Sequence, residues 1–325
     1  MSHVDETIIA ASARERFGLD GDVTAHFVRH GENTTYRVSG DAGDWAFRLH
    51  RPDYRTPAMV RSELDWMSAI RASGIATPSA RSGVDGDVVQ VIELDGQERL
   101  ATLLSWEQGD PLEDSSDMRQ WRELGRLMAE VHLHGAAWQR PDRFERPAWD
   151  LKGMIGSRPH WGDPIALGTW TDRQLDLLSA ARECVRRRLA AFGQASERYG
   201  LVHADLSFAN VLARGGASPV LIDFDDCGWG WYLWELAVTL APFDGEPGFD
   251  QRRDAIVEGY RLCRDLPDSE LAELPTFLMA RRFVTLGWVF THAETEHARR
   301  QRDWRIRTFP AAARRFLADS STEGL

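Results

Sequence analysis

Apolar and polar positions follow one pattern in the first hundred residues and another in the rest of the chain. The early region has short apolar runs with the alternation that is typical of β-strands, bounded by Gly, Pro, Asn and Asp. One long helix interrupts them, because Val60, Leu64, Met67 and Ile70 recur at helical spacing after Pro57. The predicted strands are 23–28, 34–39, 44–50, 88–94 and 99–105, and the predicted helices are 5–17 and 57–72.

The second region is mainly helical. Residues 106–111 contain Gly and Pro and predict a linker, and residues 139–170 predict a loop with room for one short helix. The predicted helices are 115–137, 171–193, 230–241, 249–264, 269–298 with a break near Pro275, and 302–319. We therefore predict an α+β fold with three parts: a β-rich lobe at 1–105, a hinge at 106–111 and a helical lobe at 112–325.

Composition narrows the class of protein. A net charge of −11 argues against binding to nucleic acid or to an anionic membrane, and it is compatible with a cationic substrate. No apolar run of about 18 residues predicts a membrane span, and the N-terminus does not resemble a signal peptide. The three cysteines are far apart and without a CxxC pair, so they predict reduced thiols in a cytoplasmic protein.

Candidate chemistry is concentrated in residues 201–226. One apolar run leads into His203-Ala204-Asp205, and Asn210 follows five positions after the aspartate. A second apolar run, 219–222, ends in Asp223-Phe224-Asp225-Asp226. Two strand-like segments thus each end in a carboxylate, with a carboxamide between them. Leaving such groups buried without partners costs about 1–3 kcal/mol each, so a role in a site is favoured.

These residues resemble the aminoglycoside phosphotransferase and choline kinase group of the protein-kinase-like fold. The resemblance covers roughly 20–318 and is strongest in 203–210 and 222–228, where Asp-x-x-x-x-Asn is followed by a strand-borne Asp-Phe. Residues 231–237 add a similarity to a bacterial branch with homoserine-kinase-like enzymes and a stress-response Ser/Thr kinase. The resemblance implies a bilobal fold, with a small antiparallel β-rich lobe and a larger helical lobe.

The resemblance also implies roles for the motif residues. Asp205 would orient or accept the proton of the attacking hydroxyl, and Asn210 and Asp223 would hold Mg²⁺ on the phosphates of ATP. His203 would brace the loop.

In the β-rich lobe, Arg48 would grip the phosphates in place of a lysine, since Lys152, the only lysine, lies outside this lobe. Glu63 is its expected partner, with Arg51 and Arg55 as nearby alternatives to Arg48. Asn33 and its loop would cover phosphate. Three hinge residues would face adenine through backbone groups: Ser105, Trp106 and Gln108.

The sequence says less about the molecule that accepts the phosphate. Asp225, Asp226, Glu235 and Trp234 are candidates for substrate or metal contacts, with helix capping or core packing as the alternatives. We expect an ATP- and Mg²⁺-dependent kinase for a hydroxyl of a small molecule, which would be aminoglycoside-like or an amino alcohol. A protein Ser/Thr kinase and a catalytically dead nucleotide-binding module are the two rival hypotheses.

Overall fold

The structure is a computed structural model that describes residues 4–41, 43–94, 96–112, 117–214 and 217–322. The helices are α1 (Glu6–Phe17), α2 (Pro57–Ala72), α3 (Met118–Ala137), α4 (Leu151–Ile155), α5 (Pro164–Leu167), α6 (Asp172–Phe192), α7 (Tyr232–Leu240), α8 (Phe249–Arg261), α9 (Asp268–Leu271), α10 (Leu274–Thr291) and α11 (Glu296–Thr322). The strands are β1 (Thr24–His30), β2 (Thr34–Gly40), β3 (Gly43–Leu49), β4 (Ala80–Arg81), β5 (Gln90–Leu94), β6 (Gln97–Ser105), β7 (Asp110–Pro111), β8 (Ala148–Trp149), β9 (Tyr199–Val202), β10 (Val211–Arg214), β11 (Ala217–Leu221) and β12 (Gly228–Trp231).

The chain forms two compact units, each assembled from separate segments. The first unit comprises Met1–Glu113, Trp138–Arg146 and Phe208–Asp225. The second comprises Asp114–Ala137, Pro147–Ser207 and Asp226–Leu325. The motif region 201–226 is therefore divided between the two units. The predicted lobe boundaries at 105 and 112 stay a prediction.

An antiparallel sheet is the centre of the first unit. Its strand order is β1-β2-β3-β6-β4, and β5 pairs with another part of β6. Alternate residues of β2 are buried, as the period of two requires, and α1 covers the same apolar face with Ile9, Ala13 and Phe17. The sheet therefore places Arg48 near the end of its central strand β3.

The helix α2 begins and ends where the sequence predicts. The Thr56 side chain accepts a hydrogen bond from the Met59 N–H, and Pro57 stands in the first turn, where its missing N–H costs nothing. Its buried face includes Val60, Leu64 and Met67, and also the carboxylate of Glu63. An acid on the buried face of an amphipathic helix requires a partner.

A small sheet joins the hinge segment to the second half of the motif. β10 pairs antiparallel with both β7 and β11, so Asp110 lies opposite Ala213 and Val211 lies opposite Leu221. This sheet positions Asn210 directly before β10 and the Asp223 segment directly after β11.

The second unit is mainly helical, with one small sheet in the order β8-β12-β9. α3 and α8 cross at two glycines: a Cβ atom on Gly125 would lie 2.0 Å from the Ile256 carbonyl oxygen, and one on Gly259 would lie 1.8 Å from that of Arg122. Only glycine permits so close an approach of two backbones. Within the described residues, no helix is long and apolar enough to cross a membrane.

The predicted α+β class is confirmed, and several boundaries are wrong. The break predicted near Pro275 is present, because α9 ends at Leu271 and α10 begins at Leu274, but the predicted end at 298 is wrong, since α10 ends at Thr291 and α11 begins at Glu296. The helix predicted at 230–241 begins only at Tyr232, because Gly228–Trp231 forms β12. Two short helices, α4 and α5, occur where one was predicted, and β10 was not predicted. The predicted helix start at residue 115 lies outside the described residues.

Candidate active site

The loop after β9 holds the first candidate, Asp205. The backbone of Ala204 has φ 67°, a left-handed conformation that costs a residue with a Cβ atom about 1–2 kcal/mol. Strain of this kind persists only where the surroundings impose it, and it is concentrated at functional sites. The buried His203 accepts a hydrogen bond at its Nδ1 atom from the Asp205 N–H, 3.3 Å away. This contact fits the bracing role that the resemblance implies for His203.

Glu235 of α7 imposes the shape of that loop. Its Oε2 atom accepts hydrogen bonds from the N–H groups of His203 (2.6 Å) and Ala204 (3.2 Å), and its Oε1 atom accepts one from Leu206 (3.2 Å). Burial alone would raise the pKa of Glu235, but hydrogen bonding by His132 and the charge of His203 lower it overall. With 0% of its side chain exposed, Glu235 has no surface for a substrate or a metal. The structure therefore gives it a positioning role.

Asp205 itself is accessible. Its side chain is 36% exposed, and its Oδ1 atom accepts a hydrogen bond from Nη2 of Arg281 on α10 at 3.2 Å. Trp234, the predicted aromatic contact, is fully buried and lies under the guanidinium of Arg281, 5.6 Å from the ring centre. Trp234 therefore has no exposed area that could contact a substrate, and its ring packs against Arg281 instead.

Asn210 and Asp223 lie in the first unit, at the two ends of the β10–β11 hairpin. The Ile222 N–H donates to the Asn210 carbonyl oxygen at 2.9 Å, which keeps the two chain segments adjacent. Asp223, like Ala204, has a left-handed backbone, with φ 65°. Its side chain contacts Arg29 of β1, and its Oδ1 atom is 4.0 Å from Nη2 of Arg48.

The contact expected between Arg48 and Glu63 is present. Nη1 of Arg48 lies 2.5 Å from Oε1 of Glu63, whose side chain is 0% exposed. Nη2 of the same guanidinium is 3.4 Å from Oδ1 of Asp225. Burial opposes the charge on Arg48, but the charges of Glu63, Asp225 and Asp223 outweigh it and raise the pKa of Arg48. Arg48 thus stays a cation in a buried position.

Asp225 is the centre of a wider network in the first unit. Burial favours its neutral form, yet the positive charges of Arg55 and Arg48 lower its pKa to about 2. Arg55 donates to the Asp225 carbonyl oxygen at 3.3 Å, and Arg146 contacts the same oxygen and lies 3.9 Å from Glu63. Sequence reasoning missed Arg146, because it stands in a loop without periodicity that carries no local signal.

The predicted phosphate loop is the tight turn of the β1–β2 hairpin. The Gly31 N–H donates to the Asn33 carbonyl oxygen at 2.9 Å, and a Cβ atom on Gly31 would meet nothing within 4 Å. Asn33 is buried, and among the described residues no group hydrogen-bonds to its Oδ1 atom. The turn therefore offers an open backbone and one unsatisfied polar atom.

Two of the predicted hinge donors are already in use within the first unit. The Ser105 N–H donates to the Ser79 carbonyl oxygen at 2.8 Å, and the Trp106 N–H donates to that of Asp44 at 3.1 Å. An adenine that accepts a hydrogen bond from a backbone N–H of this stretch would therefore meet Glu107 or Gln108 and not Ser105 or Trp106. The carbonyl oxygen of Gln108 accepts from Arg214 at 3.3 Å.

The structure thus divides the candidates into two groups, each within one compact unit. The first unit holds Asn33, Arg48, Glu63, Ser105, Trp106, Gln108, Asn210, Asp223 and Asp225. The second unit holds Asp205, Asp226, Trp234 and Glu235. Asp226 is buried, and its carbonyl oxygen accepts from Trp149 at 2.7 Å.

Sequence reasoning missed Arg281, although the pair Arg281-Arg282 inside an otherwise apolar helix is a visible signal.

Comparisons with known proteins identify the family. The phosphotransferase enzyme family, APH, matches residues 25–272, so the chain belongs to it. Amicoumacin kinase of Bacillus subtilis (strain 168) is 23% identical over 88% of this chain and 84% of its own. Homoserine kinase of Gluconobacter oxydans (strain 621H) is 26% identical over 89% and 91%.

Solved structures agree with the family. A microcompartment-associated aminopropanol kinase matches with a TM-score of 0.87 and 30% identity, over 97% of this chain and 98% of that one. An amicoumacin kinase in complex with AMP-PNP, Ca²⁺ and Ami has a TM-score of 0.78 at 20% identity, over 95% and 94%, which supports the fold. The predicted family and its kinase-like α+β fold are confirmed. This protein is a small-molecule kinase that uses a hydroxyl group as phosphate acceptor.

Proposed function

We propose that this kinase transfers phosphate from ATP, with Mg²⁺, to a hydroxyl of an amino-alcohol or aminoglycoside-like small molecule. The observation that carries the proposal is the solvent-accessible carboxylate of Asp205, held on a strained loop by the buried Glu235. A carboxylate that needs no reorganisation can orient an acceptor hydroxyl and take its proton as the new bond forms. The relatives that act on aminopropanol, homoserine and amicoumacin support this class of acceptor.

The residues of the first unit fit a nucleotide and its metal. Mg²⁺ takes oxygen ligands and is bound by one or two protein groups together with phosphates, so Asp223 and Asn210 are a suitable donor pair. In the described part of the chain, no group of three or more His, Cys, Asp or Glu could hold a metal alone, which is compatible with a metal shared with phosphates. When bound, the ion would neutralise charge on the phosphates.

Arg48 supplies the protein's own positive charge for the phosphates. Its guanidinium is oriented by Glu63 and Asp225, so its direction is set before a nucleotide arrives. The planar fork of arginine can donate two parallel hydrogen bonds to a phosphate. We propose that the Asn33 turn contributes backbone donors to the same phosphates.

The reduced thiols of Cys184, Cys227 and Cys263 support a cytoplasmic location as part of the proposal. Proteins of oxidising compartments use cysteines mainly as disulfides. Two of the three cysteines are buried, so their side chains pack like small apolar groups.

The proposal is tested by ADP release from Mg-ATP with panels of amino alcohols, aminoglycosides and protein substrates. In Asp205→Asn, we expect release to fall by about 10²–10⁴-fold because the hydroxyl loses its general base. Nucleotide binding, measured by calorimetry, should survive. Near-normal turnover in this variant contradicts the role of Asp205, and turnover on proteins alone contradicts the small-molecule acceptor. A lack of turnover with every panel contradicts the proposed function.

A further inference from the structure

A β-bulge in β1 decides which side chain of the β1–β2 hairpin shares a face of the sheet with Arg48. The register of β1 against β2 shifts by one residue between Phe27 and Arg29, so Val28 is the extra residue of the bulge. Arg29 therefore lies opposite Thr35, and Thr35 lies opposite Arg48 on the next strand, β3. Residues directly opposite each other on neighbouring strands share one face, so Arg29 and Arg48 lie on the same face.

Without the bulge, Arg29 would lie on the other face of the sheet. The register of the first part of β1 would place it opposite Thr34, which pairs with Leu49 of β3. Leu49 belongs to the apolar core that α1 covers. A shift of one residue in register moves the side chains that follow to the opposite face. The bulge thus directs an arginine away from the apolar core and towards the face that carries Arg48.

On this face, Arg29 reaches Asp223, the proposed metal ligand. Its Nη2 atom contacts Oδ2 of Asp223, and Nη2 of Arg48 lies 4.0 Å from the other carboxylate oxygen, Oδ1. All three residues belong to the first compact unit. Each oxygen of the Asp223 carboxylate thus has a guanidinium near it, and a metal ion bound there would compete with Arg29 for the same oxygen.

The two arginines differ in how firmly they are held. The side chain of Arg48 is 8% exposed and is fixed by Glu63 and Asp225. The side chain of Arg29 is 55% exposed, and among the described residues Asp223 is its only ion-pair partner. An exposed ion pair is weak, whereas breaking a buried one is costly. Arg29 can therefore leave Asp223 at little cost, while Arg48 stays in place.

A phosphate group is a suitable second partner for Arg29. Arg29 stands directly before His30 and the turn of the β1–β2 hairpin, which is the predicted phosphate loop. The guanidinium fork can donate two parallel hydrogen bonds to phosphate oxygens. Since Arg29 and Arg48 both reach the carboxylate of Asp223, both can reach phosphate oxygens that share a metal ion with that carboxylate.

We propose that Arg29 is a phosphate-binding residue that exchanges partners: it pairs with Asp223, and it moves to a phosphate of the nucleotide when a metal ion binds Asp223. This inference rests on the nucleotide and metal part of the proposed function, because it takes Asp223 as a metal ligand. When Arg29 binds phosphate, it leaves Asp223 free for the metal. The exchange therefore makes nucleotide and metal bind cooperatively, and each strengthens the binding of the other.

The test measures binding without turnover. The ligands are AMP-PNP with EDTA and adenosine with EDTA, followed by titration calorimetry, and Mn²⁺ alone, followed by electron paramagnetic resonance. In Arg29→Met, we expect AMP-PNP to bind about 10-fold more weakly, because a charge-assisted contact to phosphate is lost. Adenosine, which has no phosphate, should bind unchanged. Mn²⁺ alone should bind about 3-fold more tightly, because Asp223 no longer has Arg29 as a partner.

The opposite signs of these two changes separate the exchange from a structural role, since a distorted site would weaken both ligands. Arg29→Lys keeps the charge and should restore part of the affinity for AMP-PNP. Arg61→Met is the matched control, because Arg61 forms a partly exposed ion pair with Asp87 in the same unit. This control should bind every ligand like the native protein. Thermal denaturation of each variant checks folding.

Three results would overturn the inference and leave the proposed function intact. They are an affinity for AMP-PNP that Arg29→Met leaves unchanged, a loss of affinity for AMP-PNP and Mn²⁺ together, and Mn²⁺ that binds both proteins equally or neither. If the expected changes occur but no acceptor is phosphorylated, the role of Arg29 is supported and the kinase proposal is rejected. If the native protein binds no AMP-PNP with or without Mg²⁺, both proposals are rejected.

Discussion

At the scale of single residues, the choice of arginine at position 48 has a geometric consequence. One guanidinium contacts Glu63 through Nη1 and Asp225 through Nη2, so helix α2 and the segment after β11 are held by the same side chain. A lysine has one nitrogen atom at its tip and cannot present this planar fork. Because removing one partner of a buried ion pair costs about 3–5 kcal/mol, Arg48 and Glu63 constrain each other strongly.

His50, two residues after Arg48, couples the same region to pH. It is buried, its Nε2 atom lies 3.2 Å from the Thr102 hydroxyl, and burial together with the charge of Arg48 lowers its pKa to about 3. The unfolded chain binds a proton at His50 below about pH 6.5, while the folded chain does not. The contribution of His50 to the free energy of unfolding is therefore complete above about pH 6.5. It is lost as the pH falls towards about 3.

We predict that His50→Asn reduces the acid sensitivity of unfolding. Between about pH 6.5 and about pH 5, the native protein should lose about 2 kcal/mol more of its free energy of unfolding than the variant, at about 1.36 kcal/mol per pH unit. Urea denaturation at a series of pH values measures this. His26→Asn, at an exposed histidine of β1, is the control and should keep the native pH dependence. Parallel curves for the native protein and His50→Asn would contradict the prediction.

At the scale of elements, the local patterns and the packing requirements agree best where a helix has both a cap and one apolar face. α2 has Thr56, Pro57 and a regular set of buried positions, and its predicted bounds were confirmed. β12 is too short and too rich in glycine and tryptophan for a strand pattern, and its last two residues, Gly230 and Trp231, fall within the predicted helix 230–241. Its identity depends on pairing with β8 and β9, which are distant in the chain.

The crossing of α3 and α8 gives an element-scale prediction. Gly125→Ala would place a Cβ atom 2.0 Å from the Ile256 carbonyl oxygen and 2.9 Å from the Tyr260 nitrogen, both backbone atoms that cannot rotate away. We expect the helices to separate, with a loss of about 1–3 kcal/mol in the free energy of unfolding.

Glu123→Ala, on the exposed side of α3, is the control for Gly125→Ala. It should cost no more than about 1 kcal/mol, because it removes only a surface ion pair with Arg126. Chemical denaturation measures both variants. A Gly125→Ala protein as stable as the control would show that the crossing tolerates a larger separation.

At the scale of the whole molecule, the proposed site should link nucleotide binding to stability. A ligand that binds only the folded chain stabilises it by about 2.7 kcal/mol when present at about 100 times its Kd. We expect Mg-ATP to raise the unfolding midpoint more than ATP with EDTA, because in the proposed site the metal would join phosphate to Asp223 and Asn210. Thermal denaturation with and without chelator measures the metal-dependent part.

Asp223→Asn should lose most of the metal-dependent stabilisation while ATP alone still binds. Asp41→Asn, at an exposed acid of the same compact unit, should behave like the native protein. The same midpoint shift with Mg-ATP and with ATP plus EDTA would argue against a metal at Asp223. An Asp223→Asn variant with the full metal effect would place the metal on other oxygen atoms.

The sequence by itself determined the chemistry of the family. Asn210 follows Asp205 by five positions and a strand-borne Asp223-Phe224 comes after them, so this motif can be recognised from the order of residues alone. The tertiary structure alone decided which side chains surround them. Glu235 lies 32 residues from His203, and Arg281 lies 76 residues from Asp205, so no periodicity connects them. Such contacts arise only when elements that are distant in the sequence pack together, as α10 does when it brings Arg281 to Asp205.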